Sequence, residues 1–249
     1  MNILTIAIKN MKWRLHHKMT LVITILQPML WLILYSSVTG ASMKQSGIEN
    51  YTAYILPGLM VLVCFSACGS SGILNYMMKT DGSFYRILIA PVSRSSILLG
   101  QLVEAILCSL FEVTLLSILA AFFSVNLLGN IGGLFIIVFL ISLTAFFMSA
   151  IANGISLLLP NEMLYETFMN AIVLPIFFLS SALAPVQDVG GFLKIVINLN
   201  PFTHVINSIR AILLEGVVFD HEIVCSILLL SLMSLFAFLF AYHQLLKET

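Results

Sequence analysis

The chain has 249 residues, of which 60% are hydrophobic and 9% are charged, and its formal net charge is zero. A soluble domain averages roughly a quarter charged residues, so this composition excludes an ordinary water-soluble domain. Without a net positive charge the electrostatic basis for binding nucleic acid is also missing, and we expect no nucleic-acid partner. We therefore predict a single all-α transmembrane domain over residues 1–249, in contact with the lipid bilayer.

Residues 1–18 are predicted to form an amphipathic helix at the membrane surface. Apolar side chains recur at helical spacing along one face, and basic side chains occupy another. The apolar ones are Leu4, Ile8, Met11 and Leu15. Such a helix can lie in the plane of the lipid headgroups. A plain cytoplasmic extension of the first span is the alternative.

Six membrane-spanning helices fit the apolar runs that follow. Crossing a hydrocarbon core of ~30 Å takes about 20 apolar residues as a helix. Residues 113–161 contain no Asp, Glu, Lys or Arg, and this run is long enough for two crossings. The predicted spans are 20–39, 52–75, 96–121, 131–156, 164–184 and 223–245.

The basic residues predict the orientation of these spans. With the N-terminus inside, eight Lys and Arg residues lie in cytoplasmic segments and three lie outside. The inner set is Lys9, Lys12, Arg14, Lys18, Lys79, Arg86, Arg94 and Lys247, and the outer set is Lys44, Lys194 and Arg210. Because cytoplasmic loops carry an excess of basic residues, both termini are predicted to face the cytoplasm.

The cytoplasmic connection at 78–96 carries most of the internal charge. Its residues 83–90 are predicted to form a short helix that Asp81 or Ser83 caps and Pro91 stops. The helix would expose aromatic side chains and Arg86, a combination suited to insertion into a groove on a soluble partner. From these residues alone, an ordinary solvated loop is the alternative.

The outer connection, 185–222, resembles a pair of short helices that enters the outer leaflet and returns. Asn200 is a good helix cap, Pro201 suits the first helical position, and Gly216 suits the stop.

One face of this outer segment is polar. His204 lies three residues before Asn207, and Arg210 continues the strip. We hypothesise that Asn200, Pro201, His204 and Arg210 belong to an external gate.

Two carboxylates interrupt the third predicted span. Glu104 and Glu112 are eight residues apart, so they share one helical face with Cys108. A carboxylate inside a membrane costs ~2.5–3.5 kcal/mol on insertion scales and is a functional candidate by default. We expect Glu104 near the cytoplasmic headgroups. For Glu112 three readings stay open: a wall of a transport path, a proton-linked site, or a pairing within the bundle.

Motifs for catalysis and nucleotide binding are missing from the sequence. There is no Gly-Lys pair for a phosphate-binding loop, and no H-E-x-x-H, G-x-S-x-G or paired C-x-x-C motif. An intramembrane enzyme would need His204 and His221 to converge with outer carboxylates, and nothing in the spacing requires this. We therefore expect no catalytic residue, no bound metal and no enzyme activity of the chain by itself.

A series of short motifs occurs in a fixed order along the chain. In and after the cytoplasmic connection they are Asp81-Gly82-Ser83, Leu88, Pro91, Ser93-Arg94 and Leu99-Gly100-Gln101. In and after the fifth predicted span they are Asn170, Pro175, Ser180, Pro185, Asn200-Pro201 and Arg210. In order and spacing this series resembles the type-2 ABC exporter permeases over nearly the whole chain. Asp81 stands where Glu is commoner in that family, a change that keeps the charge.

This resemblance implies a permease subunit of an ATP-driven exporter in a bacterial cytoplasmic membrane. Two permease chains, as a homodimer or heterodimer, would pair above two separate ABC ATPase subunits. ATP and Mg would bind the ATPase, and no cofactor would bind this chain. The connection at 78–96 would be the segment that couples the ATPase to the spans. Its candidate residues are Asp81, Gly82, Ser83, Arg86, Pro91 and Arg94.

The resemblance also suggests a transport path and a substrate class. The path candidates are Glu112, Asn170, Pro175 and Ser180. The expected cargo is an amphipathic small molecule, such as a drug or antibiotic, or a peptide. Export of a lipid-linked polysaccharide is the alternative within the family, and a membrane sensor or immunity protein that transports nothing is the alternative outside it.

Overall fold

The computed structural model describes residues 3–16, 18–45, 48, 50–123, 125, 131–183, 185, 190–217 and 220–248. In these ranges the chain forms ten α-helices and no strand, which confirms the all-α prediction. The helices are α1 (Ile3–His16), α2 (Lys18–Gln45), α3 (Tyr51–Thr80), α4 (Ser83–Ile89), α5 (Arg94–Ala121), α6 (Ile131–Leu158), α7 (Glu162–Phe178), α8 (Gly191–Leu199), α9 (Pro201–Glu215) and α10 (His221–Lys247).

Four of the described helices, α3, α5, α6 and α10, are long and apolar enough to cross a membrane. They correspond to the predicted spans 52–75, 96–121, 131–156 and 223–245. The predicted spans 20–39 and 164–184 fall on α2 and α7. Helix α7 has only 17 residues, fewer than the about 20 that a full crossing takes. The count of six crossings therefore stays a prediction.

Helix α7 ends before the predicted span 164–184 does. The helix stops at Phe178, and residues 179–183 turn. Carbonyl groups in the last turn have no partner within the helix. Here side chains bond them: Ser180 Oγ donates to Phe177 O at 2.6 Å, and Asn200 donates to Ile176 O at 2.7 Å. The chain can therefore leave the helix without burying unsatisfied carbonyls.

Helix α3 lies at the centre of the bundle and packs against α2, α5, α6, α7 and α9. Most of its apolar stretch is buried, whereas α10 keeps most of its own exposed. Two glycines allow close contact with neighbours. A Cβ at Gly58 would lie 2.8 Å from Cα of Ala182, and one at Gly72 would overlap the ring of Tyr165. The turn after α7 is thus seated directly on α3.

A second, smaller core joins side chains of six helices at one end of the bundle. It combines α1, the end of α3, α4, the start of α5 and the end of α10 with one residue of α6. We call it the second core; its buried members are Ile6, Leu74, Met78, Phe84, Ile87, Ile97, Leu98, Leu102, Ala150, Ala237, Ala241 and Leu245.

Helix α1 is packed on the bundle through a face that the apolar stripe did not indicate. Leu4 and Ile8 of the predicted stripe are exposed. The buried face of the helix consists of Ile6, Ala7, Asn10 and Arg14. This leaves Leu4 and Ile8 free to contact lipid while the opposite side of the helix is held by protein. Residues 1, 2 and 17 of the predicted helix lie outside the described residues.

Candidate functional site

The predicted coupling helix is present as α4, and it begins differently from the prediction. Its N-cap is Gly82 in the left-handed conformation, with φ of 69°, and no side chain caps it. The prediction that Asp81 or Ser83 provides the cap is wrong: Asp81 ends α3, donating its backbone N–H to Met77 O at 3.0 Å. Glycine adopts positive φ without a steric cost, so the chain reverses here without a capping side chain. The helix ends as expected, with Ala90 extended ahead of Pro91.

The two faces of α4 differ sharply. Phe84 and Ile87 are buried in the second core. Tyr85, Arg86 and Ile89 are exposed, and Ile89 keeps 84% of its surface accessible. An isolated helix of seven residues is not stable in water, so the two buried side chains hold it in place. The exposed face is then a small, fixed, partly apolar surface.

Lys79 connects α4 to the residue that follows α10. Its Nζ lies 5.3 Å from the centroid of the Phe84 ring and forms an ion pair with Glu248, just after α10. Arg94 is the first residue of α5, and its Nη1 is buried without a hydrogen-bond partner among the described residues. The coupling candidates therefore lie together at the end of the bundle that contains the second core.

Asn200 joins α7 to α9. Its Oδ1 accepts from Phe202 N at 3.0 Å, which caps α9, and Pro201 takes the first helical position as predicted. Its Nδ2 donates to Ile176 O at 2.7 Å and to Leu179 O at 2.8 Å. One side chain thus satisfies the start of one helix and the end of another. Gly216, with φ of 69°, ends α9 as expected.

Arg210 connects three separate segments. Its guanidinium donates to Ser181 O at 2.6 Å, Tyr54 O at 3.2 Å and Asn207 Oδ1 at 2.9 Å. Its Cζ also lies 3.8 Å from the centroid of the Tyr54 ring, within cation–π range. Burial lowers the pKa of Arg210 from its ordinary value, and Tyr54 and Tyr51 partly oppose this shift. An arginine side chain nevertheless stays charged in proteins.

The polar strip on α9 is only partly formed. Asn207 and Arg210 are hydrogen bonded to each other, and Ser181 Oγ donates to the same Asn207 oxygen at 2.6 Å. His204 is exposed and its Nε2 lies 3.0 Å from Asn198 O instead. The structure therefore groups Asn200 and Arg210 around the turn after α7 and leaves His204 outside this group. Residues 186–189 and 218–219 of the outer connection lie outside the described residues.

Two of the path candidates line cavities beside α7. Asn170 is exposed and lines a groove of about 350 Å³ between α2, α3 and α7, together with Gln27, Ser66 and Ser70. Pro175 lines a mostly apolar cavity of about 330 Å³ that Asn200 also borders. Ser180 is buried in the turn below. Glu112 lines neither cavity and belongs to a different part of the bundle.

Glu104 and Glu112 are both inside the bundle, with exposed fractions of 1% and 2%. The expectation that Glu104 lies near the cytoplasmic headgroups stays a prediction, because burial within the bundle does not fix its depth in the membrane. Arg14 reaches it from α1, with Nε 2.8 Å from Glu104 Oε1. Arg14 also donates to Ala67 O on α3 at 3.2 Å, so one guanidinium joins three helices. Within the described part of the chain, neither oxygen of Glu112 has a hydrogen-bond partner.

A buried amide and hydroxyl network extends this polar interior, and the sequence reasoning missed it. Gln101 donates to Asn75 Oδ1 at 2.7 Å, and Asn75 donates to Asn153 Oδ1 at 2.9 Å and Ser156 Oγ at 2.7 Å. Asn153 in turn donates to Ser71 Oγ at 3.1 Å. The available signal was the presence of amide side chains within apolar runs, because such groups face the bundle interior and pair.

The fold and these sites define a helical membrane protein with a short helix, α4, fixed at one end of the bundle. The sequence profile described as ABC-2 type transporter matches residues 1–214, and the chain belongs to this family. Membership makes it a membrane permease of the type that associates with an ABC ATPase.

Curated relatives agree with this assignment. The chain is 30% identical over 201 residues to "Putative transport permease ycf38" of Cyanophora paradoxa, covering 77% of this chain and 67% of that protein. It is 27% identical over 196 residues to the protein of the same name in Porphyra purpurea, covering 78% and 67%. It is also 26% identical over 175 residues to ABC transporter G family member 20 of Dictyostelium discoideum, covering 68% of this chain and 23% of that protein.

Proposed function

We propose that the chain is the permease subunit of an ATP-driven exporter whose ATPase docks on α4. Two such chains pair, as a homodimer or heterodimer, above two ABC ATPase subunits that bind ATP and Mg. The coupling residues are Asp81, Gly82, Ser83, Arg86, Pro91 and Arg94.

The division of α4 into two faces carries this proposal. Phe84 and Ile87 fix the helix to the second core, while Tyr85, Arg86 and Ile89 project from it. An aromatic and an arginine on a small exposed patch are the residue types that dominate binding at protein interfaces. Since the same core contains side chains of α1, α5 and α10, a displacement of α4 would be transmitted to several helices.

Reversal of one exposed charge tests this docking. Arg86→Glu should abolish co-purification of an ABC ATPase with the tagged full-length chain from native membranes, because it leaves the fold intact and changes the docking face. Lys12→Glu is the matched control, since Lys12 is also an exposed cation and lies on α1. Mass spectrometry and ATP hydrolysis identify the bound subunit. Equal recovery of the ATPase with Arg86→Glu would remove α4 as the docking element.

The cavities beside α7 support an amphipathic cargo, a drug-like small molecule or a peptide. The groove at Asn170 places amide and hydroxyl groups beside Leu62, Phe65 and Val173. The adjoining cavity at Pro175 is mostly apolar. A path along α7 would thus offer both kinds of contact, with Ser180 at its end, and Glu112 would act from elsewhere in the bundle.

The tests of this path use ATPase activity in liposomes that contain the transporter. Asn170→Leu removes the amide from an exposed position, so folding should be unaffected while stimulation by amphipathic dyes or short peptides falls. Phe168→Leu, also on an exposed part of α7 and absent from both cavities, is the control. Equal stimulation of the Asn170 variant and the wild type would refute a path at this groove.

We place an outer gate at the turn after α7, where Asn200, Pro201 and Arg210 meet. Asn200 and Arg210 bond this turn to α9 and α3, so its opening requires these bonds to break. His204 lies outside the hydrogen-bonded group of Asn200 and Arg210, on the exposed surface of α9. Arg210→Ala should raise ATP hydrolysis without cargo, because the closed arrangement is weakened. Unchanged basal hydrolysis would make the turn an ordinary connection.

We place both termini on the cytoplasmic side of a bacterial cytoplasmic membrane. The excess of basic residues supports the orientation, and the family resemblance supports the membrane. Single cysteines at positions 86 and 194, on a chain whose four native cysteines are replaced, test it with an impermeant thiol reagent on intact cells. Labelling at 194 alone is expected, and labelling at 86 alone would reverse the assignment.

A further inference from the structure

Arg14, Glu104 and Glu112 form a group of three ionisable side chains inside the bundle, which we call the buried triad. Their exposed fractions are 8%, 1% and 2%. Arg14 and Glu104 are paired at 2.8 Å. Both oxygens of Glu112 and Oε2 of Glu104 are buried and accept no hydrogen bond from the residues that the structure describes. The described structure therefore supplies one cation for two acids.

Among the described residues, the surroundings of Glu112 offer no second cation. The titratable groups that act on it or on its neighbours are Arg14 from α1, Cys64 and Cys68 from α3, and Glu104 and Cys108 from α5. Helix α6 contains no charged residue or histidine, and α2 carries its two lysines at or near its ends. The titratable residues of α10 likewise lie toward its two ends. Cys108 directs its S–H to Glu104 Oε1 at 3.3 Å.

The charge balance of the triad follows from these contacts. With both acids ionised, the triad would hold one uncompensated negative charge, and burying an ion costs several kcal/mol even after the protein relaxes. An acid in this situation takes up a proton from water, which forms an O–H bond and leaves the triad neutral. Arg14 contacts Glu104 directly, so Glu112 is the acid left without a counter-ion. We propose that Glu112 is a proton-binding site that stays occupied while Arg14 is inserted beside Glu104.

The charge compensation of the triad depends on α1. Arg14 belongs to the helix that places Ile6 in the second core, the same core that holds α4 through Phe84. If α1 withdraws Arg14, Glu104 loses its counter-ion as well. This inference concerns the resting chain and is independent of which cargo is moved.

Infrared spectroscopy of the full-length chain in liposomes tests the proposal, because a protonated carboxyl group absorbs separately from a carboxylate. The wild type should show a protonated-carboxyl band at neutral pH, and Glu112→Gln should abolish it. Glu166→Gln is the matched control, since Glu166 is exposed on α7, and should leave the band unchanged. A band that survives Glu112→Gln would overturn the proposal.

A measurement on the unaltered chain covers the case in which a variant does not fold. Dicyclohexylcarbodiimide, an apolar reagent, adds to a protonated carboxyl group and rearranges to a stable N-acylurea that mass spectrometry locates. We expect the adduct on Glu112 and none on Glu104 or Glu166. An adduct on Glu104 in place of Glu112 would show that the proton is on Glu104. The absence of an adduct on Glu112 would mean that Glu112 is ionised. Either result overturns the proposal.

Discussion

Replacement of Asn200 should separate two roles of one side chain. Asn200→Ala removes the cap of α9, which is worth about 1 kcal/mol, and two hydrogen bonds to carbonyls of α7, each worth about 0.5–1.5 kcal/mol. The expected loss in free energy of unfolding is thus about 2–4 kcal/mol. A helix cap alone would predict only the first of these contributions.

Asn200→Asp makes the test sharper. The aspartate still accepts from Phe202 N, so the cap survives, but its second oxygen faces the carbonyl oxygens of Ile176 and Leu179 in place of a donor. We expect it to be at least as destabilising as alanine. Asn200→Ser, which keeps a capping oxygen without the repulsion, should fall between the wild type and both variants.

Thermal unfolding of the full-length chain in detergent micelles measures these differences as shifts in Tm. Hydrogen exchange locates the effect, with faster exchange expected at residues 176–182 in the alanine and aspartate variants. If Asn200→Asp unfolds at the wild-type temperature, the amide bonds to α7 contribute nothing. The reasoning from this contact would then be refuted, and Asn200 would be a helix cap alone.

Two further substitutions test close packing and the arginine contacts in the same assay. Gly58→Ala should lower Tm, because the new Cβ would meet the backbone of Ala182. Gly69→Ala is the control, since a Cβ there has nothing within 4 Å, and it should be neutral or stabilising by up to ~1 kcal/mol. Equal shifts in Tm for the two variants would contradict this. Arg210→Lys should destabilise by about 2–4 kcal/mol, nearly as much as alanine, since one ammonium group cannot replace three fixed donors and the stacking on Tyr54; a wild-type Tm would show that only the charge matters.

The features that sequence predicted well are those set by neighbouring residues. The start and end of α9 depend on Asn200, Pro201 and Gly216, each acting on its own stretch of backbone. The stop of α4 before Pro91 has the same local origin. The four long apolar helices follow from the length of their apolar runs.

The features that sequence could not predict depend on contacts between distant segments. Nothing near Glu104 indicates that Arg14 would reach it, because the two meet only after α1 has packed on α5. The early end of α7 requires Asn200 to bond carbonyls more than twenty residues before it. The buried face of α1 could not be predicted either, because Leu4 and Ile8 of its apolar stripe are exposed.

The position of Arg14 also constrains how the chain is assembled during synthesis. Arg14 is made early, yet its acceptor on α3 follows 53 residues later, and Glu104 follows later still. Until α5 has entered the membrane, Glu104 is not available to compensate the guanidinium, so Arg14 stays in water at the surface. Docking of α1 is therefore a late step, completed only after half of the bundle exists, and a chain truncated before Glu104 would keep its first helix undocked.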